Sequence, residues 1–217
     1  MGPPRLVSPA GRAVSLERKT AALLAYLALE GTMPRGQIAD LLWPETPTSS
    51  ARNNLVHLLR RLREASGADL VDAGESLTLR PELAVDALEV LTTGKPEAGR
   101  DLLDGTDFDD LPDVSEWILA QSERLAAAKA GWYRENIARM LQEGDATEAA
   151  ALAERWTELD PMSEEACQVL MRACYEQGDR PAALRAYHRY KQGCATKSEP
   201  TPRQKRSVLP GKSIRVR

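Results

Sequence analysis

A glycine–aspartate pair recurs in this sequence at a fixed interval. It opens "EGDATEAAALAERW" at Gly144-Asp145 and "QGDRPAALRAYHRY" at Gly178-Asp179, 34 residues later. The register holds beyond the pair: Ala149 matches Ala183, Arg155 matches Arg189, and Trp156 matches Tyr190. Between the copies, "ELDPMSEEACQVLMRACYEQG" supplies Asp160-Pro161 and a further helix. A helix pair repeated in this way buries its apolar side only by stacking on a neighbour. The outcome is an extended surface suited to holding a partner, and no catalytic apparatus is implied. Composition agrees with a helical chain. Aromatic residues make up 5% against 42% apolar, so leucine and alanine must build the core, which favours helices over aromatic-rich strands.

The net charge of -3 conceals an asymmetry. Residues 97 to 165 hold 18 acidic side chains against 6 basic, a balance of -12. Residues 193 to 217 hold seven basic and one acidic, and residues 50 to 66 hold four and one. Local basic stripes therefore stand against an acidic bulk, and the average says little about partners.

Upstream of the repeats the pattern differs. "LERKTAALLAYLALEG" predicts a helix from about Glu17 to Leu29, ended by Gly31, with Leu23, Leu24, Leu27 and Ala28 on its apolar side. "RGQIADLLWP" predicts a short helix from Arg35 to Trp43, stopped by Pro44, with Ile38, Leu41 and Leu42 inward. A third helix is expected over 48–66, with Thr48, Ser49 and Ser50 as N-cap candidates and Gly67 as its end. "DLV", "DAGES" and "LTLR" then read as two short strands around a glycine-containing turn. Three short helices followed by a hairpin is the order of a winged helix-turn-helix, whose third helix enters a groove. From about Lys95 an acidic, loop-rich stretch leads into one long helix ending near Gln142, in which Gly131 is the weak point. The expected fold is thus mainly α: a winged helix-turn-helix followed by tetratricopeptide-like repeats, for which a 34-residue period is the known spacing.

The third helix carries the chemistry. Ala51, Leu55, Leu58, Leu59 and Leu62 cluster within about 100° of arc, the width of a core stripe. Asn53, His57 and Arg60 lie opposite, flanked by Arg52, Arg61 and Arg63. Asparagine pairs bidentately with adenine and arginine with guanine in a major groove. Flanking arginines, with the hydroxyls of Ser49 and Ser50, suit phosphate oxygens. A solvated helix face of ordinary arginine content remains the bland alternative.

Other chemistries find little support. No run of about 18 apolar residues exists, so no membrane span is expected. "MGPPRLVSPAGRAVSL" lacks a continuous apolar segment, so no secretory signal is expected. Neither phosphate-cradling glycine loop occurs, and His57 and His188 have no nucleophile motif nearby. Cys167, Cys174 and Cys194 form no C-x-x-C, so no zinc site and no cofactor is expected. Asp107, Asp109, Asp110 and Asp113 form an acidic cluster without the glycine and terminal glutamate of a calcium loop, and a solvated loop is expected. Cys167 and Cys174, seven apart, are expected in a core, and so are the four tryptophans.

Two sets of segments carry a family resemblance. "LERKTAALLAYLALEG", "MPRGQIADLLWP", "SSARNNLVHLLRRLRE" and "LAVDALEVL" resemble the DNA-binding half of SARP-type bacterial transcriptional activators. "LPDVSEWILAQSERLA", the two glycine–aspartate repeats and "PAALRAYHRYK" resemble the bacterial transcriptional activator domain that follows it. The resemblance implies a winged helix that binds direct repeats of double-stranded DNA upstream of promoters, as a homodimer, and recruits RNA polymerase. It implies a cytoplasmic, nucleoid-associated regulator rather than an enzyme. By position it makes the third helix the recognition helix, with Arg52, Asn53, Asn54, His57, Arg60, Arg61, Ser49 and Ser50 as DNA contacts. Gly74 to Thr78 would form the wing, where Glu75 is a poor phosphate partner. The implied domains are 1–94 (DNA-binding), 95–192 (helical repeats) and 193–217 (a basic, disordered tail). A tetratricopeptide-like scaffold that has lost specific DNA binding is the competing reading.

The ends depart from the resemblance. The family opens with several strands, whereas the first 16 residues leave room for one or two. Its last helix runs on through Leu-Arg-Asp-Glu-Leu-Gly, where this chain has "CATKSE". Codons TGC-GCG-ACG-AAG-TCG-GAG would encode this segment, and with a C before them, read one nucleotide earlier, they would give Leu-Arg-Asp-Glu-Val-Gly. That raises the hypothesis that the tail lies out of the ancestral frame, which the gene's nucleotide sequence tests.

Overall fold

The computed structural model describes residues 4–7, 11–96 and 101–198. The protein is mainly helical, with eight helices and two small sheets among the described residues. It divides into two compact units, Met1–Asp145 and Ala146–Arg217. None of the described helices is long and apolar enough to cross a membrane.

The first unit opens with β1 (Arg5–Val7) and β2 (Ala13–Ser15), an antiparallel pair. α1 (Arg18–Glu30), α2 (Arg35–Leu42) and α3 (Thr48–Ser66) follow, and then the hairpin β4 (Val71–Ala73) and β5 (Ser76–Leu79). Each helix contributes a leucine-rich stripe at 3.6-residue spacing. Leu23, Leu27, Ile38, Leu42, Leu55 and Leu58 are all but fully buried in one cluster, and Leu77 pins the hairpin to it. A strand absent from the sequence reading, β3 (Met33–Pro34), pairs with β5, so the sheet order is β3-β5-β4.

The N-terminus of α3 differs from expectation. Thr48 is already helical and Pro47 occupies the N-cap position, with no side-chain capping bond. Ser49 and Ser50 therefore lie inside the first turn rather than before it. Proline pre-sets the extended backbone that this position needs, and its carbonyl accepts from the Ala51 N–H at 2.9 Å.

α4 (Asp86–Thr93) and α5 (Pro112–Gln142) belong to this unit as well. Phe108, Leu111 and Val114, which the sequence reading put in the second domain, enter the same core as α1 to α3. A smaller cluster of Ala87, Val90, Leu102 and Leu125 joins α4 to α5. By packing, the chain divides after Asp145. α5 passes through Gly131 unbroken. Arg18 ties the start of α1 to the acidic loop: its guanidinium donates to Asp110 at 2.5 and 2.7 Å and to the Asp107 carbonyl at 3.0 Å. This pairing holds the Asp110 carboxyl below its usual range.

The second unit contains α6 (Ala146–Leu159), α7 (Glu164–Glu176) and α8 (Arg180–Ser198). α6 packs on α7 and α7 on α8. The core holds Ala149, Ala153, Trp156, Cys167, Leu170 and Cys174, so both expected cysteines are buried. Burial raises both thiols above their usual range. Ser163 Oγ accepts from the Ala166 N–H and Asp179 Oδ1 from the Ala182 N–H, which caps α7 and α8. α8 runs to Ser198, six residues into the tail assigned above as disordered; residues 199–217 lie outside the described residues.

The 34-residue offset reappears as matched helix endings. Gly144 and Gly178 have φ of 84° and 85°. Asp145 N–H donates to the Met140 carbonyl and Asp179 N–H to the Cys174 carbonyl, each at 2.9 Å. Both are Schellman caps, in which glycine takes the left-handed conformation that a Cβ penalises.

Candidate nucleic-acid interface

α3 is held at both ends and along its back. At its start, the Lys19 ammonium of α1 donates to the Leu42 carbonyl (2.5 Å) and lies 4.8 Å from the Trp43 ring centre. Burial lowers the pKa of Lys19. The contact fixes the turn between α2 and α3. At its end, Gly67 takes φ of 71° and its N–H donates to the Arg63 carbonyl. Along the back, Ala51, Leu55, Leu58 and Leu62 are buried and Leu59 half-buried.

The opposite face is open within this unit. Ser49, Ser50, Arg52, Asn53, His57, Arg60 and Arg61 are exposed, and Asn54 is intermediate. One helix side therefore gathers all eight residues named from the sequence. Its first turn carries no acidic residue, so the helix N-terminus keeps its partial positive charge.

The arginines are not equivalent. Arg61 bonds both carboxylate oxygens of Glu17, at 3.1 and 3.0 Å. Arg63 meets Asp69 at 3.0 Å, and Arg60 meets Glu64 at 3.7 Å. Arg52, Asn53, Asn54 and His57 make no side-chain hydrogen bond or ion pair among the described residues. The sequence reading missed this grading. Arg60–Glu64 is visible as an i,i+4 pair, but Arg61–Glu17 spans 44 residues and leaves no local signal. All three pairs are solvent-exposed, so each is worth at most about 1 kcal/mol and a phosphate can displace it.

Arg35, also missed, braces the hairpin. Its guanidinium donates to the Ala73 and Gly74 carbonyls (3.2 and 3.3 Å), and its backbone N–H donates to the Glu75 carbonyl at 3.1 Å. Thr32 and Thr78 hydroxyls bond at 2.9 Å across the sheet. The turn is thus held against the start of α2, with Glu75 exposed on it and Asp72 exposed on β4.

The remaining sequence candidates lie elsewhere. His188 is exposed on α8, Trp156 is buried, and Trp43, Trp117 and Trp132 are half-buried. Trp117 stacks at 4.7 Å on Tyr26, and its indole N–H donates to Glu30 at 2.7 Å. Among the described residues, no group of three or more His, Cys, Asp or Glu could hold a metal ion.

The family model described as the bacterial transcriptional activator domain matches residues 68–206. That segment takes in the hairpin and every helix from α4 onward, and leaves α1 to α3 outside. No curated protein matches the chain.

Proposed function

From a chain that belongs to the bacterial transcriptional activator domain family, with more than half its length matched, we propose a DNA-binding transcriptional regulator, acting as an activator. On this reading α1 to α3 and the sheet β3-β5-β4 form a winged helix-turn-helix, with α3 in the major groove and the hairpin as its wing. Asn53, Asn54, His57 and Arg60 face base edges. Arg52, Arg61, Ser49 and Ser50 meet phosphates. The DNA-reading part lies within 1–94, and the tetratricopeptide-like helices within 95–192 dock a second copy on DNA or the RNA polymerase. The protein acts in the cytoplasm at the nucleoid, without a cofactor and without catalysis.

One observation carries the proposal. α3 spends its leucines on the core and presents an open face of arginine, asparagine and histidine, much of it unengaged among the described residues. A leucine-backed helix of this kind costs little to dock, because its shape is already fixed by packing.

A second reading has its own support. Carboxylates of Glu17, Glu64 and Asp69 already pair with three of the four α3 arginines, and Glu75 sits at the hairpin turn. These charges favour a scaffold that has lost specific DNA binding. Arg60→Ala separates the two. If Arg60 contacts guanine bidentately, affinity for the preferred duplex falls by ~1–3 kcal/mol while random duplex loses less. Equal losses on both duplexes make Arg60 a phosphate contact. No loss on either favours the scaffold.

A further inference from the structure

Val56 is out of place on α3. It is 50% exposed at the middle of the helix. It lies four residues from both Arg52 and Arg60 and three from Asn53, so all four side chains share one face. Arginine, asparagine and histidine account for that face as a polar surface, and valine does not. On an exposed helix a β-branched side chain is also a poor choice, because the preceding turn restricts its rotamer. The core has no use for it either: Leu55 and Leu58 on either side are the buried residues.

We propose that Val56 is a specificity residue that packs on the 5-methyl group of a thymine in the major groove; this rests on the reading of α3 given above. Among the four base-pair orientations only thymine offers an apolar group there, and a short aliphatic side chain complements it. Asn53 strengthens the assignment. Three residues of helix rise are about 4.5 Å, close to one base-pair step of about 3.4 Å, so Asn53 and Val56 address neighbouring pairs. Asn53 prefers adenine, so the two together select a short A·T-containing core, with Arg60 reading guanine on the far side. The methyl and the valine leave water together, and contact over one methyl-sized group changes affinity about fourfold.

The test uses the full chain and a duplex selected by it from a random pool. Each thymine of the selected duplex is replaced singly by deoxyuridine, which removes only the 5-methyl. The wild type loses about fourfold in affinity at one thymine or more. Val56→Ala binds the parent duplex about fourfold more weakly and becomes indifferent to deoxyuridine at that same position. Val56→Thr, of the same shape with one methyl exchanged for hydroxyl, falls between them. Thermal melts check that both variants fold, which is expected of a change at an exposed site. If the wild type selects a duplex but no thymine is methyl-sensitive, or Val56→Ala keeps the full sensitivity, the inference is overturned and the α3 interface stands. A Val56→Ala variant with unchanged DNA affinity overturns it too and points to a protein contact. If the wild type selects no sequence, the interface and the inference fall together.

Discussion

Lys129 is 7% exposed on α5, flanked one turn away on each side by buried Leu125 and Tyr133. Desolvation lowers its pKa from the usual 10.5, and the opposing charges of Asp101 and Asp86 recover only part of the shift. A lysine whose folded pKa is depressed costs stability while both states are charged. The cost fades as pH rises from the folded pKa towards 10.5, because the unfolded chain then holds the extra proton. Lys129→Met should therefore raise the melting temperature, most at neutral pH, with the gain shrinking as pH approaches 10. A gain independent of pH would mean that the ammonium is well solvated and its folded pKa is not depressed. Leu55, at 0% exposure, gives the opposite case. Leu55→Ala should cost about 2–5 kcal/mol in denaturant unfolding, and a loss below 1 would show a site that collapses or a stripe that is not core. Both burials follow from 3.6-residue spacing, and the leucine stripe of α3 was readable from sequence for that reason. Lys129 obeys the same period, but its residue type disguises it. The pairing of Arg61 with Glu17 could not be read at all, since the contact is made through space.

At the scale of elements, most helices of eight residues or more were legible, and two-residue pieces were not. β3 is too short to show an alternation, yet it completes the sheet and places Arg35 over the hairpin turn. α4 buries only Ala87 and Val90 and leaves Leu88 exposed, so no leucine stripe marks it, and it went unread as a helix. The N-cap of α3 misled because three hydroxyl residues follow Pro47, and hydroxyls usually take the cap. The close approach of α4 to α5 leaves no room for a side chain at one residue. Gly94 has φ of 69°, and a Cβ there would lie 2.9 Å from Trp132 Cβ and 3.0 Å from the Ala128 carbonyl oxygen. Gly94→Ala should destabilise the first unit by about 1–3 kcal/mol, through both the left-handed backbone and the clash. Urea unfolding checks it, and a loss under 0.5 would mean that the α4–α5 approach is not tight in solution. Gly131→Ala, with nothing within 4 Å of its added Cβ, supplies the control and should be neutral or stabilising.

For the whole molecule, a net charge of -3 is a poor guide to behaviour. The basic residues of α3 face outward on one unit, while 18 acidic side chains crowd residues 97 to 165. On the proposed reading, the basic face of α3 attracts nucleic acid and the acidic segments repel it, which turns charge into selectivity of docking. The family match supports the regulatory role but begins at residue 68, after the helix that the proposal depends on. DNA binding by α3 is thus the claim most in need of direct measurement. Affinity of the full chain for upstream duplex DNA, followed across salt concentration, provides it. The account predicts that log affinity falls linearly with log salt at a slope of about −2 or steeper, as two or more neutralised phosphates require, and that Arg52→Ala makes the slope shallower by about 1. A slope near zero, or no binding at low salt, would contradict it.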